Sequence, residues 1–243
     1  MKNIIIVLLL IAVGILITMP GQLKYPLDGQ SKKIIEKAVD EFIDQKVHSL
    51  IWKRTFHYVT FFESLDGFGT AGAVVTLDKD DLLLTTGGTE NDAAYVVKTP
   101  AWQGMVTFSQ KSYWRSSIVI SSIANATTYF VVGALSAGSY YGFKVVDDSL
   151  KGVSFDGTTE KTVDLKTIEA ATAYNIEARY LPSDKIVFFV NSVETGVISA
   201  NLPSPAITTN VNLFELKIVT NEAAAKTIQL SFFEYLQSRN VLR

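Results

Sequence analysis

The stretch Tyr140 to Pro203, YYGFKVVDDSLKGVSFDGTTEKTVDLKTIEAATAYNIEARYLPSDKIVFFVNSVETGVISANLP, carries short apolar and alternating runs separated by turn signals. Tyr141 to Val146 and Lys151 to Phe155 flank Asp147-Asp148-Ser149, Asp156-Gly157 follows, and Tyr174 to Tyr180 meets Lys185 to Asn191 across Pro182-Ser183-Asp184. Aspartate, serine, proline and glycine suit such corners because they supply the required backbone angles or local side-chain hydrogen bonds. A meander of antiparallel strands at this spacing predicts an all-β protein, a two-sheet sandwich or jelly roll.

Outside this stretch the strand pattern continues. Trp52 to Phe62 alternates and is rich in aromatic and β-branched residues, which predicts the first strand. Val74 to Leu77, Leu82 to Thr85, Ala94 to Lys98, Gly104 to Ser109, Ser116 to Ser122, Tyr129 to Val132, Leu213 to Thr220 and Thr227 to Leu236 read as further strands. With 243 residues and 48% apolar content the chain can build one large β domain with an appendage, and a second domain is not required.

Gly142-Phe143-Lys144, an excursion ending in Asp156-Gly157-Thr158, Ile176-Glu177-Ala178-Arg179-Tyr180, Ile186-Val187-Phe188-Phe189-Val190-Asn191 and Leu202-Pro203 together resemble the concanavalin A-like (laminin G-type) jelly roll, as found in structural and fibre proteins of phages and other viruses. The likeness runs from roughly Phe61 to Leu236 and rests on no single diagnostic motif. It implies the fold, a surface role, and a closing strand returning beside the first. Because the fold hosts lectins, hydrolases and capsid modules, it implies little about chemistry.

The chain opens with Met1-Lys2-Asn3 and then an uncharged run from Ile4 to Met19 that includes Leu8, Leu10 and Ile15. A secretory signal peptide fits the basic start and the length, but Pro20-Gly21-Gln22-Leu23-Lys24 offers no small-x-small cleavage site. The alternative is a retained membrane anchor, spanning roughly 24 Å as a helix, short against a ~30 Å hydrocarbon core but extendable by Pro20, Leu23 and Tyr25. Lys24, Lys32, Lys33 and Lys37 lean the charge balance towards a cytoplasmic body, whereas large domains translocate against a weak bias and the resemblance implies the outside. The expectation is a retained anchor (residues 1–24) with an extracytoplasmic or virion-surface body.

Residues 25–50 follow as a linker, Tyr25 to Ser31, and an amphipathic helix, Lys32 to Ser49, in which Ile35, Val39, Phe42, Ile43 and Val47 recur at helical spacing. Such a stripe packs on the sandwich or on a neighbouring copy; a membrane-surface role would ask for a more basic polar face. The jelly-roll domain then occupies 51–243.

The absence of cysteine excludes disulfides, thiolate metal sites and cysteine nucleophiles. A net charge of −2 with scattered basic residues gives no footprint for nucleic acid. Gly67, Gly69 and Gly72 form a GxGxxG string, but dinucleotide binding needs a strand feeding through it into a helix, and strand-like segments follow instead. The better reading is a glycine-rich loop before a strand. Asp78, Asp80 and Asp81 would supply oxygen ligands to calcium, although DKDDLLL lacks the glycine and distal glutamate of a calcium loop and also reads as a solvated acidic turn. No other cofactor is expected.

Trp102, Tyr113, Trp114, Tyr140 and Tyr141 are the rings suited to stack on a sugar, since a flat apolar face with a polar tip matches a pyranose; the alternative for each is core or interface packing. Asn125-Ala126-Thr127 is a glycosylation sequon. His48 and His57 are the only histidines and assemble neither a Ser-His-Asp elbow nor an HExxH pair. Glu160, Asp164, Glu169 and Glu177 lack the Glu-x-Asp-x-x-Glu spacing that laminarinase-like relatives carry on one strand, so catalysis is not expected. The expected function is a membrane-anchored structural protein of a virion (capsid or envelope) or surface filament, acting with further copies or other structural proteins. A carbohydrate-binding lectin or adhesin is the alternative, and a glycoside hydrolase the third.

Overall fold

Alternating sequences bury one side of each strand, and sheets built from them must find a second layer to cover that side. The computed structural model describes residues 55–79, 81–99, 106–121, 124–135, 138–204 and 211–238. The expected anchor at Ile4 to Met19, the amphipathic helix at Lys32 to Ser49, Trp102 and Asp80 lie outside these residues.

Fifteen strands follow in order: β1 (Thr55–Thr60), β2 (Gly69–Gly72), β3 (Val74–Asp78), β4 (Asp81–Thr85), β5 (Ala93–Lys98), β6 (Ser112–Ile120), β7 (Ala126–Gly133), β8 (Tyr140–Val146), β9 (Ser149–Phe155), β10 (Glu160–Thr167), β11 (Ala173–Leu181), β12 (Lys185–Val190), β13 (Val193–Ile198), β14 (Phe214–Thr220) and β15 (Thr227–Ser238). One sheet has the order β13-β12-β11-β6-β15-β4-β3, with β1 also on β15; the other runs β10-β9-β8-β7-β14-β5-β2. All pairings are antiparallel. The described residues are therefore all-β, with two antiparallel sheets in a sandwich. The closing strand returns beside the first as the resemblance implied, Thr60 opposite Phe233 and Thr55 opposite Ser238.

Between the sheets lies an aromatic core. Trp114 is fully buried and stands 4.7 Å from Phe130 and 5.3 Å from Phe143, ring centre to ring centre. Phe214 and Phe233, from opposite sheets, are also 4.7 Å apart. Each such ring contributes roughly 1.5–3 kcal/mol by leaving water, and the tilted and edge-on geometries add to that. Gly152 gives the sheets room to close: a Cβ there would lie 2.6 Å from the Phe188 ring.

Two expectations about the elements are corrected. Val106 to Ser109, the described part of the run Gly104 to Ser109 read as a strand, forms a bend and a turn. Its backbone is held by a side chain instead of a ladder, the Gln237 amide donating to Thr107 O and accepting from Thr107 N. Gly69–Gly72, read as loop, is an edge strand on β5. Gly72 has φ +89°, and a Cβ on it would stand 2.0 Å from Ala93 O, so glycine serves close strand approach there.

Candidate functional site

Consecutive residues of a strand point to opposite faces, and in an antiparallel sheet directly paired residues share a face. Tyr141 and Tyr140 are thereby separated. Tyr141 enters the core, fully buried, stacked on Tyr180 at 5.1 Å and hydrogen bonded to Ser112 Oγ at 2.8 Å. Tyr140 turns to the outer face of the seven-stranded sheet, opposite Phe155, whose ring stacks on it at 5.2 Å.

Around Tyr140 a second apolar cluster forms, apart from the main core: Val131, Tyr140 and Val153, with Tyr129, Leu135 and Phe155 packed on them. Polar groups are set into it. The Tyr140 hydroxyl donates to Glu160 Oε2 at 2.7 Å, and Lys144 Nζ donates to Glu160 Oε1 at 2.7 Å. The same ammonium lies 4.8 Å from the centre of the Tyr129 ring. Burial, then the hydrogen bond and charge of Glu160, push the Tyr140 phenol well above the usual tyrosine range, so it remains a donor. The Lys144 ammonium is held above its ordinary value: burial opposes this, and the Glu160 and Tyr129 contacts outweigh it.

A second carboxylate, Glu215 on β14, sits beneath the β7–β8 hairpin loop and is 2% exposed. Its Oε2 accepts from Leu135 N at 3.0 Å and from Asn212 Nδ2 at 3.3 Å. Burial raises its pKa, opposed by those two bonds and by Lys217. Glu215 thus fixes the loop carrying Leu135 against the aromatic cluster, and both oxygens of Glu160 are engaged by Tyr140 and Lys144. The arrangement is an apolar shelf edged by satisfied polar groups.

Of the described rings singled out in the sequence, the structure brings Tyr140 alone to this face, 6% exposed. Trp114 and Tyr141 belong to the core and offer no face to a ligand, because strand parity turns both inward. Tyr113 is half-buried on the outer face of the other sheet, 6.0 Å from the Arg179 guanidinium, beside a cavity of about 280 Å³ lined in part by Lys111, Leu181 and Leu236. Burial pushes the Tyr113 phenol up to about 12, with Glu177 adding to it. Asp78 and Asp81 are directly paired across the β3–β4 turn, and Asp81 accepts from the Gln229 side chain. Among the described residues no group of three His, Cys, Asp or Glu is placed to hold a metal. Asn125 is exposed with φ +51°, and its side-chain amide donates to Glu222 Oε2 at 2.8 Å. The sequence reading missed Lys144, Tyr129, Phe155 and Glu215. The available signal was the charged alternation of Phe214-Glu215-Leu216-Lys217, which puts two charged groups on the outer face of an interior strand.

No protein-family model matches the chain, and no curated protein matches it. Solved structures do. A protein of unknown function from Shewanella oneidensis MR-1 superposes with a TM-score of 0.58 at 10% identity, over 78% of this chain and 89% of that one. A prokaryotic β-1,3-1,4-glucanase (lichenase) derived from a mouse hindgut metagenome gives 0.57 at 9% identity, over 75% and 98%. The CBM2 module of the evolved Dit of Lactobacillus casei phage J-1 gives 0.55 at 8%, over 76% and 96%. At such identities the likeness concerns the fold alone. The chain shares with these proteins the two-sheet jelly-roll sandwich, in keeping with the concanavalin A-like resemblance.

Proposed function

We propose that this protein is a carbohydrate-binding jelly-roll module that acts by recognition, displayed outside the cytoplasm on its N-terminal anchor. One observation carries the reading: on the outer face of the seven-stranded sheet, the half-buried Tyr129 and Phe155, packed on the buried Tyr140, form an aromatic shelf edged by the Lys144–Glu160 ion pair. Flat apolar rings beside fixed donors and acceptors match a sugar, which has apolar C–H faces and an equatorial rim of hydroxyls. The names of the lichenase and of the phage CBM2 module add support, since both belong to proteins that meet glycans on this fold. The test is binding of the full-length chain, in detergent micelles, to an array of polysaccharides, with release of reducing ends measured alongside. Retention on at least one glycan without release is expected. Release would make the protein a hydrolase, and retention on none would end the carbohydrate reading.

A second reading, assembly into a virion or surface filament, has its own observation. The outer face of the eight-stranded sheet exposes Phe61 (57%) and Val59 (39%), with Phe61 6.5 Å from Phe232. Apolar surface of this kind marks contact faces. The native mass in gentle extracts separates the two: a large regular assembly supports the second, and a monomer removes it.

A further inference from the structure

On the outer face of the seven-stranded sheet one line of directly paired residues crosses six strands. From β10 to β5 it reads Asp164, Lys151, Lys144, Tyr129, Lys217, Tyr95. Neighbouring strands lie about 4.8 Å apart, so the part from Lys151 to Tyr95 extends over about 19 Å. Within that part there are three ammonium groups, two phenols and no carboxylate.

This composition breaks a local rule. Lys144 and Lys151 are directly opposite on β8 and β9, and like charges so placed destabilise a sheet. The cost is moderated from outside the line: Lys151 pairs with Asp164 at the sheet edge, and Lys144 with Glu160. Lys217 has no ion pair among the described residues and is half-buried between Tyr129 and Tyr95. Glu215 is its nearby counter-charge, but that carboxylate is buried and bonded to Leu135 and Asn212. The next line of the sheet, Val153, Gly142, Val131, Glu215 and Val97, is largely apolar, so the lysines and tyrosines form a single raised track. Local rules broken in one place and offset elsewhere are expected at functional or strained positions.

We infer that this lysine–tyrosine line is the binding track for an anionic linear polysaccharide, one carrying carboxylate or sulfate groups along its chain. The inference rests on the carbohydrate reading above and narrows its ligand class. Ammonium groups on flexible stems act as point donors that follow a repeating anion, while the intervening phenol rings support the sugar faces. Asp164 and Glu160 hold the lysines in place until the polymer's anions replace them.

The test uses the full-length chain in detergent micelles and isothermal titration with polygalacturonate, dextran sulfate, and the neutral polymers dextran and mixed-linkage β-glucan. One of the two anionic polymers is expected to bind at least roughly tenfold tighter than either neutral one, with affinity falling between about 0.05 and about 0.5 M salt; which of the two binds identifies the anion. Lys217→Gln should weaken binding roughly three- to fivefold, as for loss of one partly screened charge contact. Lys217→Glu should weaken it by roughly tenfold or more. Lys79→Glu, on the exposed turn of the other sheet, is the control for net charge and should change nothing. Equal or tighter binding of a neutral glucan overturns the anionic track and leaves the carbohydrate reading standing. Binding of no polymer overturns the anionic track, while the carbohydrate reading stands or falls with the wider array, and an equal loss in Lys79→Glu and Lys217→Glu overturns the track as the site.

Discussion

Tyr140 and Glu160 are joined by a 2.7 Å hydrogen bond although they stand on strands that are not neighbours. β9 runs between them, and its Phe155 is paired with both. The phenol therefore reaches across a stacked ring to a carboxylate that also holds Lys144. The surface cluster is tied together through side chains as well as through the ladder.

Replacing Tyr140 by phenylalanine keeps the stack and removes the donor. Glu160 retains Lys144, so the loss of stability should be about 1 kcal/mol, the usual net worth of one such bond. Urea unfolding should show a lower midpoint at unchanged slope. Tyr140→Phe combined with Glu160→Gln should cost less than the sum of the two single changes, because both remove the same interaction.

Glycines 152 and 88 should respond to alanine in opposite ways. A methyl at Gly152 meets ring carbons of Phe188 at 2.6–2.8 Å, in the middle of the inter-sheet contact. Overpacking there should cost about 1–3 kcal/mol. At Gly88 nothing lies within 4 Å of the added carbon, and φ is not in the left-handed region. Gly88→Ala should be neutral or stabilise by up to about 1 kcal/mol through the unfolded chain. Thermal melts of the two variants separate these effects.

The strands that bury one face were legible because alternation is a direct consequence of sidedness. Tyr141 to Val146 and Lys185 to Asn191 lie within a residue of β8 and β12. β10 and β13 were not read as strands: Glu160–Thr167 and Val193–Ile198 are edge strands with mostly exposed side chains, so no apolar period announces them. The site was less legible still. Alternation says that Tyr140 and Tyr141 face opposite ways, but which of them faces the core depends on pairings with β7 and β9 that no local pattern contains. Lysines 144, 151 and 217 are far apart in the chain and become a line only through register. Trp114 shows the same dependence: of its two readings, sugar platform or core packing, its position on β6 selects the core.

Glu215 offers a pH test of the loop it supports. Burial raises its pKa, so the folded protein binds its proton more readily than the unfolded chain does. Stability from this group is complete below the ordinary glutamate range and is lost as pH rises through the raised value. Glu215→Gln removes that dependence, and above the titration range it should be as stable as the parent or more so, since the amide oxygen still accepts from Leu135 N. Glu215→Ala leaves Leu135 N and Asn212 without their acceptor and should cost about 1–3 kcal/mol at every pH. Denaturant titrations of the three proteins from acid to neutral pH give the comparison; a Gln variant markedly weaker than the parent near neutrality would assign the carboxylate charge itself a stabilising role.

The buried phenols set the alkaline limit. Burial pushes Tyr180 up to about 12 and Tyr141 well above the ordinary tyrosine value. Both groups are neutral in the folded state at pH values where the unfolded chain is already ionised, so their contribution is whole below about pH 10 and is lost as pH rises through the raised values. Unfolding and the share of tyrosinate absorbance that comes from these buried rings should therefore appear together above about pH 10. The Tyr180 hydroxyl also shares its one proton between Phe108 O at 3.0 Å and Pro203 O at 2.9 Å, linking the β5–β6 and β13–β14 connections. Tyr180→Phe should cost about 1–3 kcal/mol near neutrality by orphaning those carbonyls, while its stability should fall less steeply with pH above 10, by up to about 1.4 kcal/mol per pH unit. A Tyr180→Phe variant whose alkaline unfolding midpoint shifts no more than its loss of stability at neutrality explains would remove this phenol as a cause of the alkaline limit.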